Sequence, residues 1–327
     1  MPYTGKLTYV AIGKESVIGT KSTAIDTFIK FNGSDFKKTM EKIESKVNTG
    51  SMFVDNVYRG TIAVEGSLTG LEPTVTNIGL LLKSLLGTET VTQDGSSLIY
   101  KHVFTPNADV LIPMTHITLE EYKVQYLTWF LGCRATSLDL SAEINGLLMA
   151  DFNFMGYDSS KSTNVSGDKQ TPSFDTMVPL KFYEGVFAIG GSTQPIKSFK
   201  IAYKEACEND YTFASGRDVS EIGRGEGSID VDFEMSLGAS AEAMMDAYYN
   251  GTEASLVLTF TTETNIDLTN NKPGKIIITI PRLKYTEYSD PISGADVLKS
   301  SVKGQGFQPS VGSAITIELD NLETSAY

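Results

Sequence analysis

A strand-then-helix unit that occurs twice constrains this chain more than any other feature. The run Gly227, Ile229, Val231, Phe233, Met235 echoes Gly60, Ile62, Val64, Gly66, Leu68, and each run is followed within a few residues by one helix-like segment. A protein built from one unit used twice is the first inference. In the second copy Ile229, Val231, Phe233, Met235 and Leu237 alternate with Ser228, Asp230, Asp232, Glu234 and Ser236. Successive side chains of a strand point to opposite faces, so the pattern gives one core face and one acidic, wet face.

The 327 residues fit two domains, because a chain of this length exceeds one domain of about 150 residues. Thr, Ser, Val, Ile and aromatic residues dominate the regular stretches, which predicts a mainly β fold. In the first half strands are expected at 6–10, 26–31, 37–47, 60–68, 98–104, 115–124, 132–144 and 147–156, the last two joined by an Asn145-Gly146 hairpin turn. Pro73 opens an apolar helical stripe that stops at Gly87. Residues 158–173 bury almost nothing and read as a polar linker. The second half repeats the plan, with strands at 177–189, 196–206, 227–237, 255–262, 275–285, 298–307 and 314–319. Its helix has Ser240 as N-cap and ends at Asn250-Gly251. The expected division is therefore 1–157, a unit with an N-terminal arm, then the linker 158–173, then a second unit at 174–327, a pseudo-repeat of roughly 165 residues. Two polar stretches, 48–58 and 207–225, read as extended arms.

Forty acidic against 27 basic residues give a net charge of −13, which argues against binding nucleic acid by neutralising phosphates. Cys133 and Cys207 are the only cysteines. With no signal peptide and no apolar run of membrane-spanning length, they read as buried thiols of a chain made in a reducing cytoplasm, a disulfide between them being the alternative.

Catalytic chemistry finds little support. The segment 13–22 departs from a phosphate loop, since its second glycine comes one position late and Thr20 precedes Lys21. His102 and His116 lack Cys or His at ligand spacing, so both read as structural, and neither a metal nor a cofactor is expected. The glycine-rich run 223–227 leads into a strand and reads as a hinge. Asp230, Asp232 and Glu234 lack the oxygen-rich loop of a calcium site and read as a solvated acidic face.

Several segments together resemble the tail tube, or major tail, proteins of long-tailed bacteriophages. They are the arm Gly13-Lys14-Glu15-Ser16 to Gly19-Thr20, the strand from Gly60 leading to the helix ending Leu85-Leu86-Gly87-Thr88, and the late hairpin from Gly132-Cys133-Arg134 to Gly156. The resemblance implies two tandem tail-tube-like β-sandwich or half-barrel units, each with one short packed helix. It implies no enzymatic activity and a virion location. Its inner sheet would join those of neighbours in a closed ring, three chains giving a pseudo-six-fold ring and six chains being the alternative. Rings would stack into a tube that passes the tape measure protein and DNA without binding DNA specifically, capped by tail terminator and distal tail proteins, with no membrane involved. Two other readings stand beside it: the inner tube of a contractile injection machine, and a carbohydrate-binding or adhesin β-sandwich. Trp129, in the apolar run 126–131, reads as core and not as a sugar platform.

On this resemblance the expected lumen-facing residues are Glu65, Ser67, Asp139, Asp151, Asn153, Asp230, Asp232 and Glu234. The expected ring-stacking arm residues are Lys46, Val47, Met52, Phe53, Tyr58, Tyr211, Phe213 and Arg217. The first copy carries only Glu65 where the second carries three acids, so the two halves are expected to line the bore unequally.

Overall fold

A computed structural model describes residues 5–47, 53, 56–107, 113–292 and 298–327. Within them the chain is a mainly β sandwich of antiparallel strands. The first half supplies β1 (Tyr9–Lys14), β2 (Thr27–Ile29), β3 (Gly33–Ser34), β4 (Lys37–Glu44), β5 (Val57–Leu71), helix α1 (Gly79–Leu86), β6 (Gly87–Gln93), β7 (Tyr100–Pro106), β8 (Ile117–Tyr122), β9 (Leu127–Glu143) and β10 (Met149–Gly156). Then follow β11 (Asp158–Lys161), the one-turn α2 (Val165–Asp168), β12 (Gly185–Ile189), β13 (Ser192–Thr193), β14 (Ile196–Asp210), β15 (Glu221–Ser236), α3 (Ala239–Asn250), β16 (Glu253–Asp267), β17 (Lys272–Ser289), β18 (Lys299–Gly306) and β19 (Thr316–Asn321).

One layer runs β4–β5–β10–β9–β14–β15–β18–β17. The other runs β12–β16–β17–β19–β7–β6 and closes over the same apolar core. Two long strands bend from one neighbourhood to another. The start of β9 pairs with β8 and β11 and its end with β10 and β14. The start of β17 pairs with β16 and β19 and its end with β18. Gly132 makes the bend in β9 with φ of 63°, and a Cβ there would lie 2.3 Å from the Tyr157 ring.

Strand order repeats within the first layer, β4–β5–β10–β9 and then β14–β15–β18–β17. The register repeats as well: Gly156 faces Val64 and Gly304 faces Val231, while Lys37 faces Glu65 and Lys200 faces Asp232. On β15 the alternation holds as far as the strand does. Ile229, Val231, Phe233 and Met235 are buried, but Leu237 lies beyond the strand end and is exposed. Helix α1 buries nearly every residue and contacts β9, β7 and β6, whereas α3 packs Ala241 and Met244 towards β17, with the Tyr285 hydroxyl 3.0 Å from the Met244 sulfur.

Four local expectations are corrected. Helix α1 starts at Gly79 and not near Pro73, because the Thr74 and Asn77 side chains bond each other's backbone N–H at 3.2 and 2.9 Å and hold a turn there. Gly238, not Ser240, sits at the N-cap of α3, and its carbonyl accepts from the Glu242 N–H; the Gly251 C-cap with φ of 63° is as expected. The strand expected at 177–189 is reduced to β12, since Pro179 withholds a donor and a 3-10 turn at Phe182–Glu184 intervenes. Residues 158–173 are anchored to the first half: β11 adds to β9, the Ser162 hydroxyl is held by Asp168 at 2.7 Å, and the Gln170 N–H reaches the Tyr9 hydroxyl at 2.8 Å.

Candidate functional surface: a wet sheet face and its open edges

All eight expected lumen residues fall on the outward face of the first layer. Cross-strand register arranges that face in rows. One row reads Ser67, Asn153, Ser137, Lys204, Ser228, with the Asn153 amide donating to the Ser137 hydroxyl at 2.7 Å. The next reads Asp151, Asp139, Ala202, Asp230, Gln305. A third reads Ser141, Lys200, Asp232, Lys303, Glu287. Glu65 stands exposed between Lys37 and Met155, and Glu234 lies between Ser198 and Ser301.

The face is less uniformly acidic than the spacing on β15 implied. Lysines occupy the outward positions of β14 and β18 and meet carboxylates of adjacent strands: Lys200 with Asp139 at 2.8 Å, Lys299 with Glu234 at 3.6 Å, and Lys303 with Glu287 at 2.7 Å. The hydrogen bond that Lys200 donates to Asp139, and then the fields of Asp139 and Asp232, raise the Lys200 pKa and keep it cationic. Sequence reasoning missed these lysines. The signal was present, since Phe199, Ile201 and Tyr203 alternate with Lys200, Ala202 and Lys204 as clearly as on β15.

The halves meet where β9 pairs with β14, from Glu143 opposite Ser198 to Ser137 opposite Lys204. Beneath the junction Arg134 of β9 and Arg224 of β15 both bond the buried Glu205 carboxylate, Arg224 at 2.7 Å. Charges this deep persist only when paired, so the triad ties three strands from both halves together.

The expected loose arm at 207–225 is instead ordered: β14 continues to Asp210, β15 resumes at Glu221, and the tip lies on the first half of the same chain. Val219 and Ile222 pack with Ala63. The Arg217 carbonyl accepts from the Ile62 N–H at 2.8 Å and the Tyr211 hydroxyl donates to the Ile62 carbonyl at 3.3 Å. Val219 and Ile222, with Cys207 and Tyr211 packed beside them, carry this docking, and so few apolar side chains in a polar stretch are why composition suggested a free arm. Phe213 at the tip is fully exposed. In the other arm Lys46, Val47, Phe53 and Tyr58 are exposed, and Met52 lies outside the described residues.

Two edges of the first layer are open. Among the described residues, β4 has a strand only on its β5 side, and 285–289 of β17 has one only on its β18 side. The sequence profile of the phage tail tube proteins matches residues 5–306, nearly the whole chain. The chain belongs to the phage tail tube family. No curated protein matches it. As a tail tube protein it is a structural component of the virion tail that self-assembles into tubes, and among its described residues no helix is long and apolar enough to cross a membrane.

The remaining sequence candidates take structural places in this tail tube protein. His102 is fully buried, with Nδ1 2.8 Å from Glu89 and Nε2 2.8 Å from the Glu323 carbonyl; burial opposes its protonation, but these two partners outweigh it and raise its pKa. His116 stacks on Tyr157, and burial drives its pKa down to about 4, with Arg134 adding to the effect. Trp129 is core, its indole N–H bonded to Glu120 at 2.7 Å. Cys133 is a buried free thiol and Cys207 a half-buried one.

Proposed function

We propose that this chain carries two tandem tube units, 1–157 and 174–327, and that three copies close a pseudo-six-fold ring of a non-contractile tail. Rings stack into a tube whose bore is lined by the wet face of the first layer, with the tape measure protein and then DNA passing through and terminator and distal tail proteins at the ends. The observation that carries the reading is the β9–β14 junction. It joins two like units edge to edge in one continuous layer, and the matching edges, β4 and the end of β17, stay open at the layer's two extremes. Pairing β4 of one copy with β17 of the next repeats the junction and removes every exposed edge of the layer.

The charge pattern supports passage without adhesion. Acidic strands β10, β9 and β15 flank the lysine rows, and Lys200, Lys299 and Lys303 each face a carboxylate, so phosphates meet no continuous basic track. Electrostatic effects reach about 8 Å at physiological salt, which keeps this pattern relevant across much of a narrow bore.

Electron microscopy of the purified protein tests the reading, with Met40→Pro as the decisive variant. The Ile62 N–H turns away from β4 to reach Arg217, so Met40, directly opposite Ile62, turns its own N–H outward to the open edge. Proline there removes an edge donor and leaves the β5 ladder intact. Wild-type protein is expected to form rings with an axial hole; Met40→Pro is expected to stay monomeric with a nearly unchanged melting temperature. Normal rings from Met40→Pro would refute closure through β4.

A further inference from the structure

We propose that residues 322–327 form a strap that one proton keeps shut: it closes over the start of α1 on an imidazolium of His102 and opens when His102 gives up that proton. All the contacts involved lie within one chain, independent of ring closure.

The strap follows β19 and is held at few points. Its residues from Leu322 to Ala326 are exposed, and several of its bonds are local, from the Glu323 N–H to Asn321 and from Ser325 to the Glu323 carboxylate. Three anchors fix it. The Tyr327 ring lies on Gly79, where a Cβ would come within 2.2 Å of it, and the Tyr327 hydroxyl accepts from the buried Asn321 amide at 3.0 Å. The Tyr327 N–H reaches the Glu89 carboxylate of β6 at 3.1 Å, and its carbonyl accepts from Lys14 of β1 at 2.6 Å. The third anchor is the Glu323 carbonyl, 2.8 Å from Nε2 of His102.

The chemistry of His102 makes this third anchor a switch. The side chain is fully buried, and both ring nitrogens meet acceptors, Glu89 at Nδ1 and the Glu323 carbonyl at Nε2, each at 2.8 Å. A neutral imidazole carries one N–H and one lone pair, so it can serve only one of them. Both bonds form only when both nitrogens are protonated. Glu89 has donors on its other sides as well, the Tyr327 N–H and, at 3.5 Å, the Lys83 ammonium of α1, which leaves the shared proton on the ring. The other charged groups around the anchors are Lys14, the Glu323 carboxylate and Asp175, whose field reaches Tyr327. Burial opposes a charge on His102, while the bonds and fields of Glu89 and Glu323 outweigh it and raise the pKa.

Loss of the proton falls unevenly on the two bonds. A charged acceptor holds a hydrogen bond more strongly than a carbonyl does, so the remaining N–H stays on Nδ1 towards Glu89. Nε2 then turns a lone pair on the Glu323 carbonyl, and the strap loses an anchor and gains a repulsion. Because the folded pKa is the higher one, closure is complete below the free value of 6.5 and is lost as pH rises through the folded value. Opening uncovers Gly79 and Leu80 in the first turn of α1.

Amide exchange read by mass spectrometry tests the strap, and exchange of the imidazole C2 hydrogens, read on the same samples, follows the two histidines separately. After correction for intrinsic rates, protection of 322–327 is expected to fall by about tenfold or more between pH 6 and pH 9, with its midpoint where His102 titrates and not where His116 does. In Glu89→Gln the introduced amide donates to a neutral Nδ1 while the imidazole keeps its N–H for Glu323. That strap is expected to stay closed, changing by less than about twofold over the same range. In the wild type, protection that stays flat from pH 6 to pH 9, or a His102 already neutral at pH 6, overturns the proposal. So does a folded Glu89→Gln chain whose strap still opens as pH rises or is open throughout.

Discussion

The β9–β14 junction and the open edges of β4 and β17 present the same geometry in two states, made and unmade. Tyr203 on β14 and Met40 on β4 occupy matching positions, opposite Ile229 and Ile62, yet Tyr203 is 5% exposed and Met40 is 40% exposed. The made junction is locked from below by Glu205 with Arg134 and Arg224, whereas β4 carries exposed Lys37 and Lys42, and Lys38, which pairs with Asp158 of its own chain. The difference teaches how one unit serves two purposes. A permanent contact inside a chain tolerates buried charge, because both partners are always present. In the proposed ring the β4 edge waits for another copy, and lysines along it would discourage unregistered strand pairing until then.

Breaking the made junction should have the largest effect. Glu205→Ala leaves the buried Arg134 guanidinium and the partly buried one of Arg224 without their carboxylate and is expected to cost about 3–5 kcal/mol. The register places Lys42 at the matching position of β4, where it is exposed, and Lys42→Ala should stay within about 0.5 kcal/mol. Urea denaturation of the two variants as monomers measures the contrast directly. Similar losses for both would mean that the junction and the open edge do not differ as described.

Next in size is a pH effect at His116, which lines the cavity beneath the base of the docked arm. His116 lies beside Tyr157 and Arg134, and its pKa falls to about 4 in the fold, chiefly through burial, against 6.5 for the free side chain. Because the folded value is the lower one, the unfolded chain takes up the proton first. The stability that neutral His116 permits is present above about pH 6.5 and is lost as pH falls towards 4, by roughly 3 kcal/mol at most. His116→Gln should flatten that part of the stability curve. Proteolysis within 211–220 at pH 5 should also be faster than at pH 7.5 in the wild type, while the β4–β5 arm, already exposed, shows no such change.

Much of this comparison is legible in the sequence, for a definite reason. Period-two alternation reports a strand with one wet face, so β15, β9 and β10 and their outward acids could be read residue by residue. The same alternation in β14 marks Lys200 and Lys204 as outward, but the carboxylates that the lysines of this face meet lie on other strands and are not visible in it. Contacts set by three-dimensional register were not legible. Nothing about Arg134, Glu205 and Arg224 in sequence indicates that they meet, and the docking of Val219 and Ile222 depends on β10 ending at Gly156, a fact about a distant strand. The helix boundaries slipped for a local reason, the Thr74/Asn77 side-chain turn competing with the backbone.

The wet face gives a smaller effect on the fold and a larger one on passage. Asp230, Asp232 and Glu234 changed together to Lys should leave rings intact, at a cost of about 1 kcal/mol or less for each like-charge pair created with the neighbouring lysines. The same change turns β14, β15 and β18 into one basic stripe, and particles built from it should eject DNA more slowly, an effect relieved by added salt. Unfolded protein together with normal ejection from residual particles would remove these residues from the bore.

The smallest expected effect separates the two sides of the comparison most finely. Lys200 and Asp139 meet across the made junction, both partly exposed, so a double-mutant cycle should give a coupling of only about 0.2–1 kcal/mol, falling as salt rises. Lys37 occupies the matching position on β4 and has no strand beyond it among the described residues. Lys37→Ala should therefore leave monomer stability unchanged and show its effect only in assembled rings, as faster dissociation at low salt that vanishes at high salt. A loss already present in the monomer would show that Lys37 is engaged within its own chain, most directly by Glu65 opposite it, and β4 would then no longer count as the unmade half of the junction.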